Sequence, residues 1–167
     1  CFCHEVNGIR IFAMGADYIP EDNILSHCSY ERTKKLLENC KECHFNAIRV
    51  WGGGYYPEDW FFELCDKLGL IVFMDMMFAC CEVPGDPAML QNIAAEAKDN
   101  LRRIRHHACI GLISGNNEIE AFYGNDYYRS EYTAIYENCI PNVIEEVCPE
   151  IPYVSSSPSS GGNFNDP

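Results

Sequence analysis

An apolar run at residues 110–114 climbs to Gly115 and then presents two amides and a carboxylate in a row, Asn116-Asn117-Glu118. A stable core has no use for three polar groups at the end of a buried strand. A carboxylate placed there, on a floor of apolar side chains, is partly desolvated, which raises its pKa. A carboxyl in that state can protonate a leaving oxygen near neutral pH, so Glu118 is a candidate general acid. The alternative is a loop carboxylate that caps the next helix or pairs with an arginine; Glu120, two residues on, is a rival, with a cap or a solvated acid as its own alternatives. Further polar and aromatic groups follow the earlier apolar segments: Asp17 after "IRIFAMG", Arg49 and Trp51 in "AIRVWGGG", and Asp75 in "LIVFMD".

These groups need elements that bring their strand ends together. Asn7-Gly8 predicts a hairpin turn, followed by a strand from about Ile9 to Gly15. "SYERTKKLLENCKECH" has helical spacing with Ser29 as N-cap, and "FNAIRVWGG" reads as a second strand. "PEDWFFELCDKLG" opens on Pro57 and closes on Gly69, the punctuation of a short helix. "LIVFMDMMF" is a third strand, a long helix begins at Asp86-Pro87, and "CIGLIS" is a fourth strand. "YYRSEYTAIYENCIPNVIEEVC" is helical with a break or kink at Pro141, and "IPYVSSS" is a fifth strand. Strand and helix therefore alternate, which predicts an α/β domain with a parallel sheet covered by helices. Polar groups recur at the same end of each strand, as in a (β/α)8 TIM barrel rather than a doubly wound nucleotide fold. "WGGGYYPED" is neither G-x-G-x-x-G nor a P-loop. A barrel takes about 250 residues, so residues 1–167 are expected to form its N-terminal half: about four βα units and a fifth strand.

Composition excludes several other classes. Hydrophobic residues make up 47% and charged residues 22%, the balance of a globular domain. The net charge of −13 argues against nucleic acid, because phosphate backbones reward clustered Lys and Arg. The longest apolar stretch carries Asp75 in its middle, so no membrane span is expected. The chain opens without Met or a signal segment, which reads as an internal piece of something longer. Eleven cysteines lie largely in apolar periodic segments, including Cys65, Cys80, Cys109 and Cys139, where Cys acts as a small hydrophobe. With no Asn-x-Ser/Thr sequon anywhere, that usage points to a reducing, cytoplasmic setting. "CKECH" matches a haem-attachment pattern, but no second Cys/His pair completes a haem or zinc site and chance explains it better.

Taken together, "NAIRVWGGGYYPEDWFFELCDKLGLIVFMDMMFAC", "PGDPAML", "GNNE" and "PYVSSSPSSGG" resemble the catalytic barrel of the β-mannosidases of glycoside hydrolase family 2. The matches run in family order from about Asn7 to Gly162. The resemblance implies a retaining exo-glycosidase acting on terminal β-linked mannose of oligosaccharides, with upstream β-sandwich domains and no metal or organic cofactor. It makes Glu118 the acid/base and gives Asn117 the hydrogen bond to the sugar 2-OH. It places Trp51 beside the terminal sugar as an apolar platform, with core packing as the alternative that its three neighbouring glycines disfavour. It gives Arg49 the orienting of carboxylates or hydroxyls, with an ion pair as the alternative, and makes Asp75 and Asp17 hydroxyl acceptors or partners of Arg49. Another specificity of the family (exo-β-glucosaminidase, endo-β-mannosidase or β-galactosidase) is an alternative, as is a non-catalytic carbohydrate-binding fragment. The family's nucleophile is a Glu on the seventh strand, and no other acid here matches that motif. The 167-residue chain alone is accordingly expected to be inert and to self-associate through exposed half-barrel edges.

Overall fold

The structure, a computed structural model, describes residues 3–123 and 127–161; Gly162, the last residue of the family resemblance, lies outside them. Asn7 and Gly8 both adopt positive φ, 52° and 79°, and turn β1 (His4–Val6) back onto β2 (Ile9–Ile11) as an antiparallel pair. This corrects the expected strand over Ile9–Gly15. The turn commits Ile9–Ile11 to its own hairpin, and the parallel sheet begins only at β3 (Gly15–Tyr18). Asn46 ties the intervening residues down, accepting from Met14 N and donating to Phe12 O.

From there the alternation follows the sequence pattern. Helix α1 (Tyr30–Glu42) starts at Ser29, whose Oγ accepts from Arg32 N, and leads into β4 (Ala47–Val50). Helix α2 (Asp59–Leu68) begins two residues after Pro57 and ends at Gly69 in the left-handed region, φ +66°. There a residue without Cβ satisfies the turn at no steric cost. Strand β5 (Ile71–Asp75) precedes α3 (Pro87–Ile104), where Asp86 accepts from the N–H groups of Ala88 and Met89. Strand β6 (Ile110–Ser114) leads to the short helix α4 (Ile119–Tyr123). The kink expected at Pro141 takes a particular form. A helical run passes from α5 (Arg129–Tyr132) through a π-helical stretch, Thr133–Cys139, into α6 (Ile140–Val147). The wider turns lie immediately before the residue that lacks an N–H to continue an α ladder. Strand β7 is only Tyr153–Val154.

Strands β3 to β7 form one five-stranded sheet in strict chain order, every pair parallel. A doubly wound sheet reverses its order at a switch point; this one does not. Helices α1, α2, α3 and α6 pack side by side in that order. The core lies between them and one sheet face, where Ile48, Val50, Val72, Met74 and Ile113 meet Leu37, Phe61, Phe62, Leu101 and Ile144. The other face, with Asp17, Arg49, Ile71 and Phe73, is only partly covered. Among the described residues the sheet is open, with β3 and β7 as its edges, and does not close into a barrel. No helix among the described residues is long and apolar enough to cross a membrane.

Candidate active site

In a parallel sheet every strand presents its C-terminal end on the same side, so residues far apart in the chain meet there. Asp17 sits beside Arg49 in the β3–β4 register, and Asp75 beside Ser114 in the β5–β6 register. Beyond the strands proper, single parallel bridges continue the sheet from Ala79 to Asn117 and from Asn117 to Ser157.

Asn116 holds the turn. Its buried Oδ1 accepts from Ile119 N at 2.9 Å and Ser156 Oγ at 2.7 Å, while Nδ2 donates to Ser155 O at 2.8 Å. Gly115 precedes it because a Cβ there would strike the Tyr153 hydroxyl and the Ser155 carbonyl. Asn117 is buried and fixed along its backbone, donating to Phe78 O at 2.9 Å and accepting from Cys80 N at 3.2 Å. Glu118 then turns out of the ladder with φ +62°, its N–H on Ser157 O at 3.1 Å. A non-glycine residue in the left-handed region is uncommon, and here the carbonyl on one side and the Asn116 turn on the other hold it. The Glu118 side chain is half-buried, and its Oε2 accepts from Cys80 Sγ at 3.6 Å.

Behind these residues lies the Arg49 guanidinium. Nη2 donates to Asp75 Oδ2 at 2.7 Å and to Asn117 Oδ1 at 2.8 Å, Nε to Asp75 Oδ1 at 3.4 Å, and Nη1 to both Asp17 oxygens at 3.4 Å. All three nitrogens are engaged, and the group stands 5.5 Å from the centre of the Phe73 ring. The ion-pair alternative for Arg49 and the Arg49-partner alternative for Asp17 and Asp75 are therefore present in the fold. Burial pushes the Asp75 carboxyl above the usual carboxylate range, outweighing the opposite pull of Arg49, Gly52 N–H and Ser114. Asp17 differs: its side chain is 55% exposed, so its oxygens stay open to solvent.

Two expectations take a different form. Glu120 is neither a cap nor a solvated acid. It is buried, accepts from Tyr132 OH at 2.8 Å and from Ser160 N at 2.6 Å, and is also bonded by Ser160 Oγ. Burial pushes its carboxyl up, but the bonds from Ser160 and Tyr132 outweigh that and hold it below the ordinary glutamate value. Trp51 does not join the polar cluster directly. Its ring lies across Gly53, where any Cβ would collide with it, and it lines a 300 Å³ hollow with Pro20, Asn23, Leu25 and Tyr55. None of Arg49, Asp75, Asn117 or Glu118 lines that hollow. A second hollow of 210 Å³ runs along the open sheet face past Asp17, Arg49 and Phe73. A further cavity, of 540 Å³, lies at the opposite end of the strands between the hairpin and Leu70, Ile71 and Cys109, away from the polar cluster.

Cys80 escaped the sequence reading, which counted it among small core hydrophobes. It is exposed on the loop after β5 and touches both Asn117 and Glu118. Its position five residues after Asp75 was the available signal, but its backbone conformation, φ +51°, is not legible in residue types. Cys65 and Cys109 are buried as expected.

No protein-family profile matches the chain. Individual proteins do. It is 37% identical over 176 residues to β-mannosidase B of Thermothelomyces thermophilus, covering 96% of this chain and 21% of that protein. It is 34% identical over 170 residues to the β-mannosidase of Bos taurus, covering 96% of this chain and 19% of that protein. Among solved structures, the β-D-mannosidase of Dictyoglomus thermophilum matches 98% of this chain and 21% of its own length, with 38% identity and a TM-score of 0.90. A Bacteroides uniformis β-glucuronidase shares the fold at 19% identity and a TM-score of 0.73. The chain thus spans about one fifth of the length of the curated relatives it matches. With 96% of the chain aligned at 34–37% identity and 98% of it superimposing on a solved β-D-mannosidase, this chain is homologous to the β-mannosidases over about one fifth of their length.

Proposed function

We propose that the full-length protein is a retaining exo-glycosidase that releases terminal β-linked mannose from oligosaccharides, and that the five-stranded sheet is half of its (β/α)8 barrel. The observation that carries this reading is Glu118, half-exposed and turned out of the sheet at the C-terminal ends of the strands, beside an Asn117 whose amide oxygen is held by Arg49. Sequential parallel strands and a single continuous layer of helices support the half-barrel.

In this mechanism Glu118 gives its proton to the glycosidic oxygen as the bond to the sugar breaks, then takes one from water in the second step. Asn117 acts on the 2-OH. With its Oδ1 occupied by Arg49, it meets the sugar with its Nδ2–H, a contact that strengthens as the oxocarbenium-like transition state forms. Asp75 serves through Arg49, and Asp17 keeps an oxygen accessible to a sugar hydroxyl. Trp51 walls the adjoining hollow. A retaining reaction also needs a second carboxyl about 5–5.5 Å from the first. We assign that nucleophile to the part of the protein beyond these residues, so the 167-residue chain alone is inert.

The test is Glu118→Gln in the full-length protein, assayed on a panel of aryl β-glycosides. Hydrolysis of β-mannosides with poor leaving groups should fall by about three orders of magnitude, with activated leaving groups much less affected. Wild-type rates on the poor leaving groups refute the assignment, and a preference for another sugar in the panel refutes the specificity.

A further inference from the structure

We infer that Cys80 is a positioning residue of this site, its thiol linking the group that reads the sugar 2-OH to the group that supplies the proton. The inference rests on the glycosidase reading above and goes beyond it. Donor chemistry sets the direction of both contacts. The Asn117 Nδ2 can only donate, so Sγ accepts from it at 3.3 Å, and an ionised Glu118 can only accept, so Sγ donates to Oε2 at 3.6 Å. One thiol thus uses its donor on one candidate residue and its acceptor on the other.

The placement is built into the backbone. Residues 78–80 and Asn117 exchange main-chain bonds, Asn117 N to Phe78 O and Cys80 N to Asn117 O. The thiol and the amide are therefore carried by one ladder and cannot drift apart independently. Cys80 also holds φ +51°, a conformation that disfavours side chains, and the loop maintains it at the residue whose Sγ faces the site. On the far side, Arg49 grips the amide oxygen of Asn117. The amide is clamped at both ends, oxygen by guanidinium and nitrogen by sulfur. This fixes which way it faces a sugar.

Two effects follow. The S–H contact holds Oε2 of Glu118 in place. The contact with Nδ2 orients the donor offered to the 2-OH. The ionisable groups around the pair are Cys80 on the loop after β5, Arg49 and Asp75 behind Asn117, and Glu120 on α4, which is turned onto Tyr132 and Ser160.

The experiment uses the full-length protein with Cys80→Ala, Cys80→Ser and Glu118→Gln, assayed on an aryl β-mannoside and its 2-deoxy analogue. In Cys80→Ala, turnover of the 2-hydroxy substrate should fall roughly fivefold, while the 2-deoxy analogue loses much less. Cys80→Ser, which keeps a donor and an acceptor, should recover much of that loss; if the alanine variant does not fold, the serine variant is compared with wild type by the same ratio of the two substrates. A residue that merely fills space would lower stability and both substrates' rates together; that result overturns the inference. If Glu118→Gln retains full activity, the acid/base assignment itself fails. If Glu118→Gln is inactive and both Cys80 variants match wild type, only the Cys80 inference falls.

Discussion

Glu118 and Glu120 carry the same side chain two positions apart, and their surroundings give them different work. Glu118 keeps its carboxylate partly exposed with the Cys80 thiol on it, whereas both oxygens of Glu120 are taken up by Tyr132 and Ser160. Glu120 therefore fastens the loop after β7 to α4. Replacing it with Gln removes charge-assisted bonds in a buried setting, so Glu120→Gln should cost about 2 kcal/mol, measured by urea unfolding. The pH dependence has a definite sign. The folded-state value of Glu120 lies below the ordinary one, so its stabilisation is present above the unfolded-state value and lost as pH falls through the folded-state value. Unfolding measured from pH 7 downward should show wild type and Glu120→Gln converging in acid. A gap that widens in acid contradicts the assignment. None of this separation was legible in "NNEIE", because both acids follow the same strand and only the tertiary partners 12 and 40 residues away distinguish them.

Among the elements, the helices were the most legible. Ser29, Asp86 and Gly69 each do at a helix end what their residue type suggested. Strand limits were less so. Ile9–Met14 looked continuous with the parallel sheet, yet the Asn7-Gly8 turn, a strictly local feature, captured half of it for the hairpin. The last strand shrank to two paired residues because the chain after Val154 leaves regular pairing and meets the Asn116 turn instead. That meeting makes the β6–β7 junction sensitive to volume. Gly115 lies where the Tyr153 hydroxyl, itself bonded to Tyr136 O at 2.6 Å, crosses over the end of β6. Gly115→Ala must push that ring or the Ser155 carbonyl aside and should destabilise by about 2 kcal/mol, read as a lower urea midpoint with an unchanged slope. An unaltered midpoint would mean that the junction yields freely.

At the scale of the whole molecule, the sheet has one face under helices and another only partly covered, with backbone edges at β3 and β7. Apolar side chains crowd the β3 end, Phe12 at 81% and Ile9 at 66% exposure among them. Unpaired edges next to apolar surface invite pairing with another chain. The purified 167-residue chain should therefore self-associate, and its net charge of −13 gives that association a salt dependence. Like-charge repulsion opposes it at low ionic strength and is screened at high. Static light scattering should show mass rising with protein concentration and more steeply with added salt. A monomer at all concentrations and salt levels contradicts this.

The strict chain order of the five strands also bears on how the molecule is made. Each strand, as it leaves the ribosome, finds its only earlier partner already present and immediately preceding it. Among these five strands no finished pair must open to admit a latecomer. Pairings between successive units keep loop closures short, the topology associated with faster assembly. Synthesis from the N-terminus can then extend the sheet one βα unit at a time. At every stage the sheet grows at its C-terminal edge alone, while β3 stays the other edge throughout, so chaperones acting on the nascent chain would have one moving edge and one fixed edge to guard.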